Sequence, residues 1–410
     1  MIQISENLLV IAFILYILST IIYTVAVTGK KWSNRDPKAH EAKYGKIAYI
    51  ITILGFLAQT GYVVTRWIVG GHSPTSNMFE FMSFMAFCIV LAFLIIHGIY
   101  RLTVLGMFVI PVAIIMIAYA KVFPSEITPL IPALKSYWLQ IHVTTAALGE
   151  GILAVGFATG LMYLIRTVSQ DQPSKSTRWL EIVISVVLML VGFIGMESTF
   201  SRLDYKTVFE MPNPDYKADS PVPMAKTVQV TYVLPAIVAP AQSTIVDEGV
   251  MKPLFEAPAW MQGKDAARKF NTMIWSVLAG LALYGILRLV LRKRLAAALK
   301  PSLDDIDPDL IDEISYRSIC IGYPVFTLGA IIFAMIWAHE AWGRFWGWDP
   351  KEVWALIVFL FYSAYLHLRL SRGWIGTKSA WLAVIGFVII LITLVFVNLV
   401  IAGLHSYAGV

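Results

Sequence analysis

Residues 337–354 read WAHEAWGRFWGWDPKEVW, and five of the chain's 13 tryptophans fall in this stretch: Trp337, Trp342, Trp346, Trp348 and Trp354. Tryptophan favours both edges of a bilayer, but a belt of that kind is spread over many helix ends. Here the rings crowd one segment, interleaved with Gly343, Gly347, Asp349 and Pro350. Flat apolar faces on a tightly turned backbone suit a large planar ligand, held by stacking and apolar burial. Asp349 followed by Pro350 also fits a helix start, with Asp as the cap and Pro at the first helical position.

The seven histidines carry the second chemical signal. A neutral imidazole nitrogen is a good axial ligand for haem iron, and two histidines from different helices can clamp one haem. Sorted by the topology derived below, His72, His142, His339 and His405 fall in loops or helix ends on one membrane face. His97 and His367 fall near the opposite face, and His40 in a basic loop. Any single interfacial histidine is more often a hydrogen-bonded surface residue. Four of them on the face that carries the tryptophan-rich loop point instead to a planar, iron-bearing ligand. The sequence has no CxxCH, so it is not itself a c-type cytochrome. Its two cysteines, Cys88 and Cys320, lie in apolar runs and form neither a plausible surface disulfide nor a metal pair.

The elements that must position these residues are set by composition. Of 410 residues 58% are hydrophobic and only 14% charged, against roughly 25% charged in soluble chains. A net charge of +6 could suggest nucleic acid, but the Lys and Arg residues cluster between apolar runs, where they set topology. No nucleic-acid partner is expected. Spanning a bilayer takes about 20 apolar residues. Ten segments approach that length: roughly 7–27, 46–68, 78–98, 104–121, 142–166, 179–199, 272–292, 318–338, 353–371 and 379–402, the fourth weakened by Pro111. The first run lacks a basic lead-in and a small-residue cleavage site, so it reads as a retained helix.

Alternate short loops are basic, beginning with Lys30, Lys31, Arg35, Lys38 and Lys43, while 69–77 and 403–410 have no basic residue. The positive-inside rule then places the basic loops in the cytoplasm and both termini outside. The expected fold class is an all-α polytopic membrane helix bundle of about ten transmembrane helices with a small extracytoplasmic insertion. Residues 1–199 carry helices one to six, and 200–271 form an outer loop domain of short strands and extended chain. Residues 272–410 carry helices seven to ten with the tryptophan loop at 337–354.

WGRFWGWDPKEVWAL resembles the WWD motif of the CcsA/ResC family, membrane haem-handling proteins of system II cytochrome c biogenesis. RWIVGGHSPTSNMFEFMSF (66–84), SYWLQIHV (136–143), YLHLRL (365–370) and VNLVIAGLHSYA (397–408) are similar to further family segments, while 200–271 falls outside the pattern. The resemblance implies that His142 and His405 are axial ligands of haem at the outer face. The tryptophan loop, with Trp337, Trp342, Trp346, Trp348, Asp349 and Trp354, would hold the haem between them. It implies that His367 ligates haem within the membrane, with a partner histidine from a separate CcsB/ResB-type membrane protein. The family usually has Asn where this chain has His339. His72 is expected to be structural or rim-lining, and His97 to hydrogen-bond at the inner interface unless it too ligates haem.

The implied function is haem export or presentation, and covalent attachment of haem to CxxCH motifs of apocytochrome c outside the membrane. A cytochrome c synthase subunit of this kind is active only with its partner, with a thiol-reducing protein upstream. The location implied is a bacterial plasma membrane, or a thylakoid membrane by family analogy. The competing reading of the residues is a b-type haem subunit that oxidises quinol.

Overall fold

A computed structural model describes residues 1–29, 36–121, 123, 125–127, 135–213, 225–247, 249–258, 261 and 266–397. Aspartate followed by proline starts three of its helices. Asp36 caps α2 (Pro37–Gly70), Asp307 caps α9 (Pro308–Thr327) and Asp349 caps α11 (Pro350–Arg372). In each, the carboxylate accepts from a backbone N–H that has no intrahelical partner, and proline occupies a position whose missing N–H is not needed. The Asn77 and Ser136 side chains accept in the same way, without the proline, at the starts of α3 (Met78–Tyr100) and α5 (Tyr137–Thr167). The remaining long helices are α1 (Ile2–Thr28), α4 (Thr103–Ala120), α6 (Lys175–Arg202) and α7 (Ala266–Leu291). A short α8 (Leu295–Leu299) precedes α9. From Thr327 the path runs through a π-helical segment, Leu328–Phe333, into α10 (Ala334–Trp342). A last helix, α12 (Thr377–Ile392), also passes into a π segment, Thr393–Val397.

Among the described residues nine helices are long and apolar enough to cross a membrane, with Pro308–Trp342 counted as one. The tenth apolar segment of the sequence is the shorter α12, 16 residues long and followed by its 5-residue π segment. The protein is thus a polytopic helical membrane protein. Pro111 does not break the fourth segment: α4 runs through it from Thr103 to Ala120. Proline is tolerated in membrane helices because neighbours re-satisfy the freed backbone groups.

The chain divides into two compact units, Met1–Leu180 with Ala296–Val410, and Glu181–Leu295. In the first, α5 is the hub, packed against α3, α4, α9, α10 and α12. Glycines seven residues apart, Gly149 and Gly156 on α5 and Gly322 and Gly329 on α9 and the π segment after it, let the two paths approach closely. A side chain on Gly149 or Gly329 would collide with the main chain of Phe326 or Ala146, and Gly156 and Gly322 meet Ile319 and Leu153. Small residues at such crossings replace the hydrophobic drive that lipid does not supply.

The second unit contains most of α6, all of α7 and the insertion between them. Strands β1 (Thr207–Pro212), β2 (Thr227–Tyr232) and β4 (Thr244–Asp247) form an antiparallel sheet in the order β2-β1-β4. Phe209, Val230 and Tyr232 form its core with Ala236 and Ala239. Strands β3 (Val238–Ala239) and β5 (Phe255–Glu256) pair in parallel. The Asn271 side chain of α7 accepts from the backbone of Ile237 and Val238 and donates to Pro235. Gly192 and Gly280 bring α6 and α7 into backbone contact.

Candidate functional site

His142 lies more than one turn inside α5, not at its end, because Ser136 starts that helix earlier than hydropathy suggests. Its Nδ1 is 2.9 Å from the carbonyl oxygen of Gly329. A carbonyl can only accept, so Nδ1 carries a proton, which in the neutral ring leaves the lone pair on Nε2. Metal-ligating imidazoles are commonly fixed in this way by their other ring nitrogen. Two features bring Gly329 within reach: the absent side chain that lets it touch Ala146, and the π geometry of its segment. Wide turns of that type are frequent at functional sites.

The imidazole stacks on Trp337, with ring centroids 5.8 Å apart and planes 12° from parallel. Trp337 is only 2% exposed and meets Trp342 edge-on at 4.7 Å. The tryptophan loop therefore has two parts: Trp337 and Trp342 buttress His142 from within, while Trp348 stands 71% exposed at the rim. Trp346 packs edge-to-face with Trp348 at 6.0 Å, and Trp354 is half-buried on α11. The turn is built in three steps. Gly343 ends α10 with φ +70°. The Glu352 carboxylate then accepts from the Gly347 and Asp349 amides at 2.7 and 3.2 Å, closing a capping box with Asp349. Trp348 adopts φ +57°, a conformation costly for a bulky residue and tolerated where surrounding structure enforces it.

Beside His142 is a cavity of about 210 Å³. Ala146, Ala330, Ala334 and Ala355 leave its walls open, and both π segments border it. Its polar lining includes Ser76, Asn77, Lys351 and Glu352, with Glu150 further along α5.

The remaining candidates do not join this cluster. His339 is exposed and stacks on Phe345 at 4.3 Å. His72 is buried, with Nδ1 2.9 Å from the Ser73 carbonyl. His97 hydrogen-bonds the Leu102 carbonyl at 3.2 Å and packs on Tyr49 and Phe93. His367 is exposed on α11. His405 lies outside the described residues. No group of three or more metal-ligating side chains occurs among the described residues.

A cytochrome c assembly protein model matches residues 75–202 and 272–405. The chain belongs to the cytochrome c assembly protein family. The match takes in His142, the tryptophan loop, His367 and His405, and leaves out 203–271, the part that holds the strands. Curated relatives named cytochrome c biogenesis protein CcsA cover nearly the whole chain. The one from Gloeobacter violaceus is 31% identical over 97% of this chain and 94% of its own length. Those from Nostoc punctiforme and Pyropia yezoensis are 34% and 30% identical over 83% and 88% of this chain, and 82% and 87% of theirs.

In this family member, sequence reasoning assigned no role to Gly329, Lys351, Glu150 or Glu80. The matching seven-residue glycine spacings, 149/156 and 322/329, are the signal that could have marked Gly329. Glu80 forms a buried ion pair with Arg66 at 2.7 Å, and Arg66 also donates to the Ser125 carbonyl at 2.6 Å. Ser76 donates to Glu80 through both its amide and its hydroxyl. The motif at 66–84 thus holds the turn between α2 and α3 that borders the cavity.

Proposed function

We propose that this membrane protein takes haem as a substrate, holds it against the tryptophan loop on the outer face, and presents it to the CxxCH segment of an apocytochrome c. It does so together with a CcsB/ResB-type membrane partner, with a thiol-reducing protein upstream keeping the cysteines available. Family membership supports a role in cytochrome c biogenesis. The observation that carries the finer reading is His142. Its Nδ1 donates to the Gly329 carbonyl, its ring is clamped on Trp337, and with Trp337 it borders a cavity. That donor set fits an iron porphyrin: a fixed neutral imidazole supplies the ligand nitrogen, and adjacent indoles supply flat apolar cover.

In this reading His142 and His405 are the two axial ligands, and Trp346, Trp348 and Trp354 cover the ring. Haem supplies the vinyl groups to which cysteine thiols add. The protein's own contribution is position: the buttressed imidazole fixes where the iron sits, and the rigid capped turn fixes where the porphyrin edge faces. His367, exposed on α11, supports a shared intramembrane site completed by a histidine of the partner. The positive-inside pattern supports an outer location for the tryptophan loop, in a plasma or thylakoid membrane.

Co-expression with a CcsB-type partner and a CxxCH reporter tests the proposal. Covalently haem-stained reporter should form with the native chain and be lost with His142→Ala. Undiminished attachment in that variant would refute the assigned role.

A further inference from the structure

Glu150 is the one acidic group of α5, and the family resemblance gives it no role. It is 8% exposed, and its Oε2 has no hydrogen-bond partner among the described residues. It lines the same cavity as His142. The eight-residue step from one to the other corresponds to about 12 Å along the helix. A bare carboxylate in an apolar cavity is costly unless it binds a proton or a counter-ion. The helix cannot turn it away, since Gly149 and Gly151 on either side are in backbone contact with Phe326 and Cys88.

The titratable groups facing Glu150 are few. Cys88 of α3 and Tyr362 of α11 lie within electrostatic range, and both are fully or almost fully buried. Lys351 and Glu352 of α11 and His142 of α5 share the cavity, toward the tryptophan-loop end. α9, α10 and the π segments contribute Phe326, Ala334, Ala330 and Leu394, which carry no charge. The cavity is also bordered by Thr75, Ser76 and Asn77, in the turn before α3. These side chains can line a path for water and protons.

We propose that Glu150 is a proton-exchange site, loaded through this cavity from the tryptophan-loop end and coupled to the charge of the iron that His142 holds. The coupling rests on the reading of His142 as a ligand; the proton site does not. When an external one-electron reductant converts ferric to ferrous iron, one positive charge is lost near His142. The Glu150 carboxylate then gains proton affinity, and in a fraction of the molecules it takes a proton from the outer water and becomes the neutral acid, so proton uptake accompanies the electron. At about 12 Å and an effective dielectric near 20, one unit of charge changes proton affinity on the order of tenfold. The iron should therefore be reduced more easily at lower pH.

Infrared spectroscopy of the full-length protein, free of haem and titrated with pH, tests the site directly. The native chain should show the carbonyl band of a buried carboxylic acid that appears on acidification and is missing in Glu150→Gln. The isosteric amide preserves shape, and an unchanged elution volume in detergent verifies its fold. Ala355→Leu, which narrows the cavity but keeps Glu150, should slow hydrogen–deuterium exchange of that band. In haem-loaded protein, the midpoint potential should fall with rising pH for the native chain and be flat for Glu150→Gln. No titrating band in the native chain, or the same band in Glu150→Gln, overturns the proton site whatever haem does. An equal pH slope in both proteins overturns the coupling. Haem retained by His142→Ala ends the ligand reading, and with it the coupling, while the infrared result still decides the proton site.

Discussion

His142 donates through Nδ1 to the Gly329 carbonyl at 2.9 Å, and this bond joins the second turn of α5 to the π segment that leads into the tryptophan loop. The orientation of the candidate ligand thus depends on a residue 187 positions away with no side chain. Gly329→Ala should push the two helices apart, since the added methyl meets the Ala146 backbone. Overpacking of this kind costs about 1–3 kcal/mol. The expected outcome is a lower unfolding temperature together with weaker haem retention, read by fluorescence melting and absorbance. An unchanged melt and full haem content would show that the close approach is unimportant.

The tryptophans of the loop should separate by role. Trp337→Ala removes a core ring that also braces His142, and loss of a buried aromatic costs about 3–5 kcal/mol. Trp348→Gly deletes an exposed ring and relieves a left-handed backbone, so stability should hold or rise by about 1 kcal/mol while haem binding weakens. Thermal unfolding in detergent, paired with haem titration, distinguishes the two. Equal destabilisation by both substitutions would remove the distinction between buttress and rim.

The Arg66–Glu80 pair is buried on both sides, at 0% and 1% side-chain exposure. Removing one partner of such a pair leaves an uncompensated charge and costs about 3–5 kcal/mol, whereas replacing both with apolar residues costs far less. Glu80→Met should therefore lower the unfolding temperature more than Arg66→Met with Glu80→Met combined. Additive losses in the double variant would argue against the pair acting as a unit.

His367 is exposed and should tolerate replacement in the isolated chain. Surface changes away from special features stay within about 0.5 kcal/mol. His367→Ala should leave the melting curve alone and lower haem delivery only when the partner is present, as read by haem content of the co-purified complex. An equal defect without the partner would contradict a shared site.

Local signals were the most legible in the sequence. Asp349-Pro350 announced the start of α11, and the tryptophan spacing marked the turn before it, because caps and turns are set by a few adjacent residues. The strand-rich insertion was visible as a Val- and Pro-rich interruption of the apolar pattern. Pairings across the chain were not legible. Nothing in the sequence pairs Glu80 with Arg66; the turn at 71–77 brings them together. The placement of His142 inside α5 came from the Ser136 cap, which hydropathy does not see. Hydropathy is equally blind to a cavity: the alanines that open one look like any other membrane residues, so Glu150 acquired a setting only once α5, α11 and the π segments came together.

The central claim is that His142 is a haem ligand, and the most direct measurement is the absorption spectrum of the purified protein with and without that side chain. The native chain should carry haem with the sharp reduced bands of iron held by two nitrogens. His142→Gly should lose most of that haem, and added imidazole should restore part of it. Full haem content with an unaltered spectrum in His142→Gly would contradict the account.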